Sequence, residues 1–178
     1  MSMDNVAQAW ARMASVLERR PGAGLHDDPP ATARWQDGTR IVTRHPSGRE
    51  VVSDMAVELG GSGDQVSPGW LFRAGLAACT ATRIAMGAAR DGVALSLLEV
   101  DAASRSDTRG LFDMADADGR AVPAGPEEVQ LAVRIAAPGV APERLQALVE
   151  EGCRCSPIGH VVREALPTEL RIEIAPTL

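Results

Sequence analysis

The 178-residue sequence predicts an α+β fold, and three observations carry that prediction. The segments run helix, β-hairpin, long helix, two strands, two helices and a final strand. The longest helical segment, Pro68 to Arg90, is apolar nearly all round, as a helix in the middle of a fold is. The strand segments alternate apolar and polar residues, so each has one face to bury. With 45% apolar residues the chain can fill a core, and 3% aromatic content with no tyrosine means that Ala, Val, Leu and Ile build most of it.

Val6 to Arg20 reads as a helix, because Val6, Ala9, Trp10, Met13 and Leu17 form one stripe, and Asp4 or Asn5 would cap it. The breaker run PGAGLHDDPP, residues 21–30, separates this helix from the β-rich segment after it. From Thr32 to Leu59 the pattern is β-like. Thr39 to Arg44 and Glu50 to Ser53 flank His45-Pro-Ser-Gly48, a hairpin turn, giving two or three antiparallel strands.

Gly60 to Gly63 closes that unit. Ser67 is then placed to cap the long helix and Pro68 to occupy its first position, while Asp91-Gly92 ends it. Ala94 to Ala103 and Val129 to Ala136 read as strands, separated by the SRSDTRG loop and a polar, Pro/Gly-rich stretch. A helix opens at Pro142 with Leu145, Leu148, Val149 and Gly152 on one face, and Ser156-Pro157 interrupts it. A short helix from Pro157 to about Ala165 and an alternating strand from Glu169 to Ile174 complete the chain.

A net charge of −6 and the lack of a Lys/Arg cluster argue against nucleic acid as a partner. No run approaches the roughly 20 apolar residues of a membrane helix, and the first twenty residues carry no secretory pattern, so a cytoplasmic protein is expected. The cysteines, Cys79, Cys153 and Cys155, are too few for a disulfide scaffold, and no Cys or His spacing suggests a metal; no cofactor is expected.

Thiol chemistry needs the thiolate, which a neighbouring positive charge favours and apolar burial opposes. Arg83, four residues after Cys79, lies one helical turn away on the same side; Arg73 and Arg90 fall elsewhere on the wheel. The competing reading makes Cys79 a small residue that lets a partner helix approach, with Arg83 paired to a carboxylate. Cys153 and Cys155 sit two apart and would point away from each other on a helix, so at most one of them could meet Cys79.

GREVVSDMAVELGG, then SPGWLFRAGLAACTATRIAMGAARDGVAL, and later CSPIGH resemble the OsmC/Ohr family of osmotically induced and organic-hydroperoxide-resistance proteins. The resemblance covers residues 32–174 of a single domain, with residues 1–30 outside the family core. It implies an intertwined homodimer whose antiparallel sheets wrap buried central helices, with two sites at the subunit interface. Peroxidase members attack a hydroperoxide with a first cysteine and resolve the sulfenic acid with a second, an Arg and a Glu organising the first thiolate.

On that resemblance Cys79 matches the attacking thiol. The resolving position, immediately before the Pro, is Ser156, so Cys155 is the substitute, with Cys153 the other thiol in reach of that role. The acid's place is taken by Gly69 and Trp70, and Trp70 would add an apolar wall to a substrate pocket. A hairpin arginine, Arg34 or Arg40, is expected to contact substrate or thiolate. Two functions are compatible with these residues: a thiol-dependent peroxidase served by a thiol reductant, or a dimer that binds a small apolar ligand at the interface without turning it over.

Overall fold

The computed structural model describes residues 3–164 and 166–175. Helix α1 spans Met3–Arg19, so neither Asp4 nor Asn5 caps it; both lie inside its first turn, where a carboxylate also suits the helix dipole. A three-stranded antiparallel meander comes next: β1 (Thr32–Asp37), β2 (Arg40–Arg44) and β3 (Glu50–Ser53), in that order. The β2–β3 turn is the expected His45–Gly48 segment, closed by the Gly48 N–H donating to the His45 carbonyl at 2.9 Å, with Gly48 at a φ of 85° that suits glycine.

Helix α2 (Pro68–Arg90) has the predicted bounds. Ser67 accepts the Trp70 N–H at 3.2 Å, and Pro68 sits at the first turn. Strand β4 (Leu97–Arg105) starts three residues later than its alternation suggests, because Ser96 is the last residue before the ladder and its N–H and hydroxyl both bond the Ala136 carbonyl. Its partner is β5 (Glu128–Ala136), antiparallel with Leu97 opposite Ala136 and Arg105 opposite Glu128. Between them the expected loop contains one helical turn, α3 (Thr108–Leu111), capped by Asp107, whose carboxylate also pairs with Arg109.

Helices α4 (Pro142–Arg154) and α5 (Pro157–Arg163) are divided at Ser156-Pro157 as the sequence requires; the expected end at Ala165 lies outside the described residues. The core lies where α2 meets α4 and the β4–β5 sheet: Ile84, Ala88, Val93 and Leu148 are buried, with Leu98, Val133 and Ile135 packed against them.

Two expectations are corrected. Glu169 to Ile174 forms no strand in this chain, and Leu170, Ile172 and Ile174 stand exposed; a strand needs a ladder partner, and no described segment pairs with this one. Nor is α2 buried all round, since Trp70, Phe72 and Met86 are 48%, 39% and 37% exposed. No helix among the described residues is long and apolar enough to cross a membrane.

Candidate functional site

Cys79 lies near the middle of α2, partly exposed and unbridged. Phe72 and Met86 stand seven residues before and after it, so the three share one stripe of the helix. The ends of that stripe are exposed in the single chain, and the thiol sits between them.

The opposite wall comes from α4 and α5, antiparallel to α2. Gly87 meets Leu148, Ile84 meets Gly152, Arg83 meets Glu151 and Thr80 meets Ser156. Gly152 permits this approach: a Cβ there would stand 3.1 Å from the Ile84 Cα and 3.2 Å from its nitrogen. Thr80 and Ser156 are fully buried, so their hydroxyls must satisfy each other, and the Thr80 hydroxyl donates to Ser156 Oγ at 3.3 Å. Ser156 Oγ also accepts the Gly159 N–H at 3.3 Å, capping α5. One step along, the Ile158 N–H donates to Cys79 Sγ at 3.5 Å.

Arg83 does not turn toward the sulfur. Its guanidinium donates to Glu151 Oε1 at 3.0 Å and stacks on the Trp10 ring 4.8 Å from the centroid. An ionised carboxylate and a π face are both strong partners for a guanidinium. Arg90 holds the same carboxylate through both oxygens, at 2.6 and 2.8 Å, and covers Trp10 at 5.5 Å. Hydrogen bonding from Arg90 first, and then from Arg83, carries the Glu151 carboxyl down to about 2.

Ser156, expected to face substrate, is instead sealed inside the chain, because a helix cap must sit against the amides it serves. Trp70 lies nine residues before Cys79, about 13 Å along the axis and on the other side of α2, so it does not wall the sulfur of its own chain. Arg40 donates to Ser62 Oγ at 2.7 Å and to Asp54 and Asp64, at the edge of a polar cavity of about 400 Å³ lined by Thr39, Gly61 and Ser62. It holds the β2 end to the glycine loop rather than reaching Cys79. Buried Asp54 is kept well below the usual carboxylate range, chiefly by hydrogen bonds from Ser62 and Thr39.

Cys155 ends α4 as a partly exposed free thiol. The α2–α4 register puts it level with Ala81, within about 3 Å of Cys79 along the helix axis. Burial pushes the Cys153 thiol up, partly offset by Arg163. Two residues of this site, Glu151 and Trp10, carry no signal in the sequence. Glu151 comes from 68 residues away, and Trp10 reads as core-stripe packing; only the fold joins them to Arg83.

A family model described as OsmC-like protein matches residues 61–171. Among solved structures, an OsmC-like protein from Mycoplasma pneumoniae superposes with a TM-score of 0.65 at 14% identity, over 79% of this chain and 91% of that one. One from Legionella pneumophila named as an organic hydroperoxide resistance protein gives 0.56 at 20% identity, over 78% and 92%. Another so named, from Elizabethkingia anophelis with thiocyanate bound, gives 0.56 at 20%, over 79% and 91%. At these identities the likeness is one of fold. No curated protein sequence matches the chain.

Proposed function

The chain belongs to the OsmC-like protein family, and from that premise we propose that it is a cytoplasmic, homodimeric thiol peroxidase acting on organic or hydrogen peroxides. Its catalytic domain spans residues 32–174, with residues 1–30 as an added arm. The observation that carries this reading is the setting of Cys79: a partly exposed free thiol, met by the Ile158 N–H, with a second free thiol, Cys155, level with the next residues of α2. The exposed ends of the Phe72–Cys79–Met86 stripe support a dimer, since a second copy packed there would bury the stripe and close a pocket over the sulfur. Trp70 and Arg40, remote from Cys79 within one chain, would then reach the site from the partner copy.

In this reaction the Cys79 thiolate attacks the terminal oxygen of the hydroperoxide. The O–O bond breaks, the alcohol leaves with a proton, and the sulfur becomes a sulfenic acid. The Cys155 sulfur then attacks that sulfur and water departs, leaving a Cys79–Cys155 disulfide. A thiol reductant returns the two electrons. Burial pushes the Cys153 thiol up and so disfavours its thiolate, which leaves Cys155 as the resolving thiol.

A second reading has its own support. At the resolving position Ser156 is a buried cap bonded to Thr80, which suits a scaffold that holds an apolar ligand without redox turnover. Titration of the reduced protein with cumene hydroperoxide separates the two. Turnover consumes two thiols per chain and gives a Cys79–Cys155 disulfide by peptide mass spectrometry, and Cys79→Ser abolishes it. An unchanged thiol count in excess hydroperoxide establishes the binding protein instead.

A further inference from the structure

Arg83 is held in a poorly satisfied position. Its Nη1 is buried and has no hydrogen-bond partner, while its other contact shares Glu151 Oε1 with Arg90, which makes the shorter bond. Arg90 also has Asp91, at 2.6 Å, which it shares with Arg144; two carboxylates thus serve three guanidinium groups, and Arg83, with its one bond of 3.0 Å, is the least compensated. Besides that shared 3.0 Å bond, what holds Arg83 in place is the face of Trp10.

Trp10 belongs to α1, which lies outside the residues matched by the family model. No residue of α1 is buried, and its stripe of Val6, Ala9, Met13 and Leu17 with Met86 borders an open apolar groove of about 570 Å³. A helix held by half-buried side chains opens at a lower cost than the elements of the core. Arg83 leaves α2 one turn beyond Cys79 on the same side, so its side chain spans either to Glu151 or to the sulfur. The charged groups facing it are Arg90 on its own helix and Glu151 on α4.

We propose that α1 is an autoinhibitory arm: Trp10 holds Arg83 against Glu151, and release of α1 delivers the guanidinium to Cys79, switching the thiol to its reactive thiolate. The proposal rests on the reading of Cys79 as the reactive thiol. It makes Trp10 a positioning residue, acting on the sulfur only through Arg83.

The test is site-resolved alkylation of reduced full-length protein by iodoacetamide at pH 7, followed by peptide mass spectrometry. A guanidinium beside a thiol favours the thiolate, the attacking form, at some loss of nucleophilicity, and the expected gain is roughly three- to tenfold. Trp10→Leu, which keeps apolar bulk but not the ring, shows that gain at Cys79; Trp10→Phe, which keeps the π face, stays near wild type. Combining Trp10→Leu with Arg83→Met returns the rate to wild type.

Equal rates in Trp10→Leu and wild type overturn the arm, and so does a gain that survives Arg83→Met, which would mean mere uncovering of the sulfur. If Trp10→Leu does not fold, Trp10→Met, which also keeps apolar bulk without a π face, takes its place; it must show the same Arg83-dependent gain or the arm is wrong. Alkylation needs no peroxide. An Arg83-dependent gain in a protein that ignores hydroperoxide therefore upholds the arm and removes only the peroxidase, whereas Cys79 oxidation without the gain removes only the arm.

Discussion

The Ile158 N–H meets the Cys79 sulfur at 3.5 Å across 79 residues of chain, and this contact exists because α4 cannot continue through Pro157. The break starts α5 beside α2 with its first amides unpaired. Ser156 takes the Gly159 N–H, leaving that of Ile158 for the sulfur. The Thr80–Ser156 hydroxyl pair fixes the level at which this happens.

Ser156→Ala removes a helix cap and orphans the buried Thr80 hydroxyl. Capping contributes about 0.5–2 kcal/mol and an unsatisfied buried hydroxyl costs about 1–3 kcal/mol. Urea unfolding is expected to show a loss of about 2–3 kcal/mol. Adding Thr80→Val removes the orphan, so the double variant loses less than the two single losses combined. Strict additivity would mean that the hydroxyls do not interact.

Gly152→Ala sets two effects against each other. Alanine gains up to about 1 kcal/mol of helix propensity. The new methyl meets the Ile84 backbone, which cannot rotate away, and overpacking of that kind costs about 1–3 kcal/mol. The clash wins, so the variant has a lower unfolding midpoint by circular dichroism. A more stable variant would mean that α2 and α4 separate easily.

The parts of this architecture legible in the sequence are those with local chemical causes. Ser67-Pro68 and Asp91-Gly92 define α2 because capping and breaking act within a few residues. The hairpin turn and the α4–α5 break are read from Pro and Gly for the same reason. The Arg83–Glu151 pair is beyond such reading, since nothing local distinguishes Glu151 from Glu150, and only the α2–α4 register selects it. Helical spacing puts Arg83 on the correct side of α2, yet its orientation depends on competition between a sulfur and a carboxylate that spacing cannot rank.

Acid should weaken the α2–α4 contact. The Glu151 carboxyl falls from an ordinary 4.5 to about 2 in the folded chain, so ionised Glu151 stabilises the fold fully above about pH 5. That contribution is lost as the pH drops from about 4.5 toward 2, where the folded carboxyl also takes its proton. Denaturation midpoints measured from about pH 6 to about pH 2.5 should therefore fall, and Glu151→Gln should flatten part of the fall. A Glu151→Gln profile parallel to wild type would show that the carboxylate is not responsible.

Glu169 to Ile174 alternates as a strand does, yet one chain alone does not form that strand. Leu170, Ile172 and Ile174 are 80%, 76% and 86% exposed, whereas a strand with this pattern ordinarily buries its apolar face. Burying a side chain of this size is worth about 1.5–3 kcal/mol, too much to leave in water three times over when a sheet edge of a second copy could accept it. Ile172→Lys is expected to weaken dimerisation by about tenfold or more, since each 1.4 kcal/mol is a factor of ten, while Ile172→Val keeps most of the affinity. Sedimentation velocity over a concentration series reads both, with circular dichroism confirming that the chains stay folded. A wild-type protein that remains monomeric at tens of micromolar, or an Ile172→Lys dimer of unchanged affinity, would leave the exposed alternation without this explanation and remove the second copy from the proposed site.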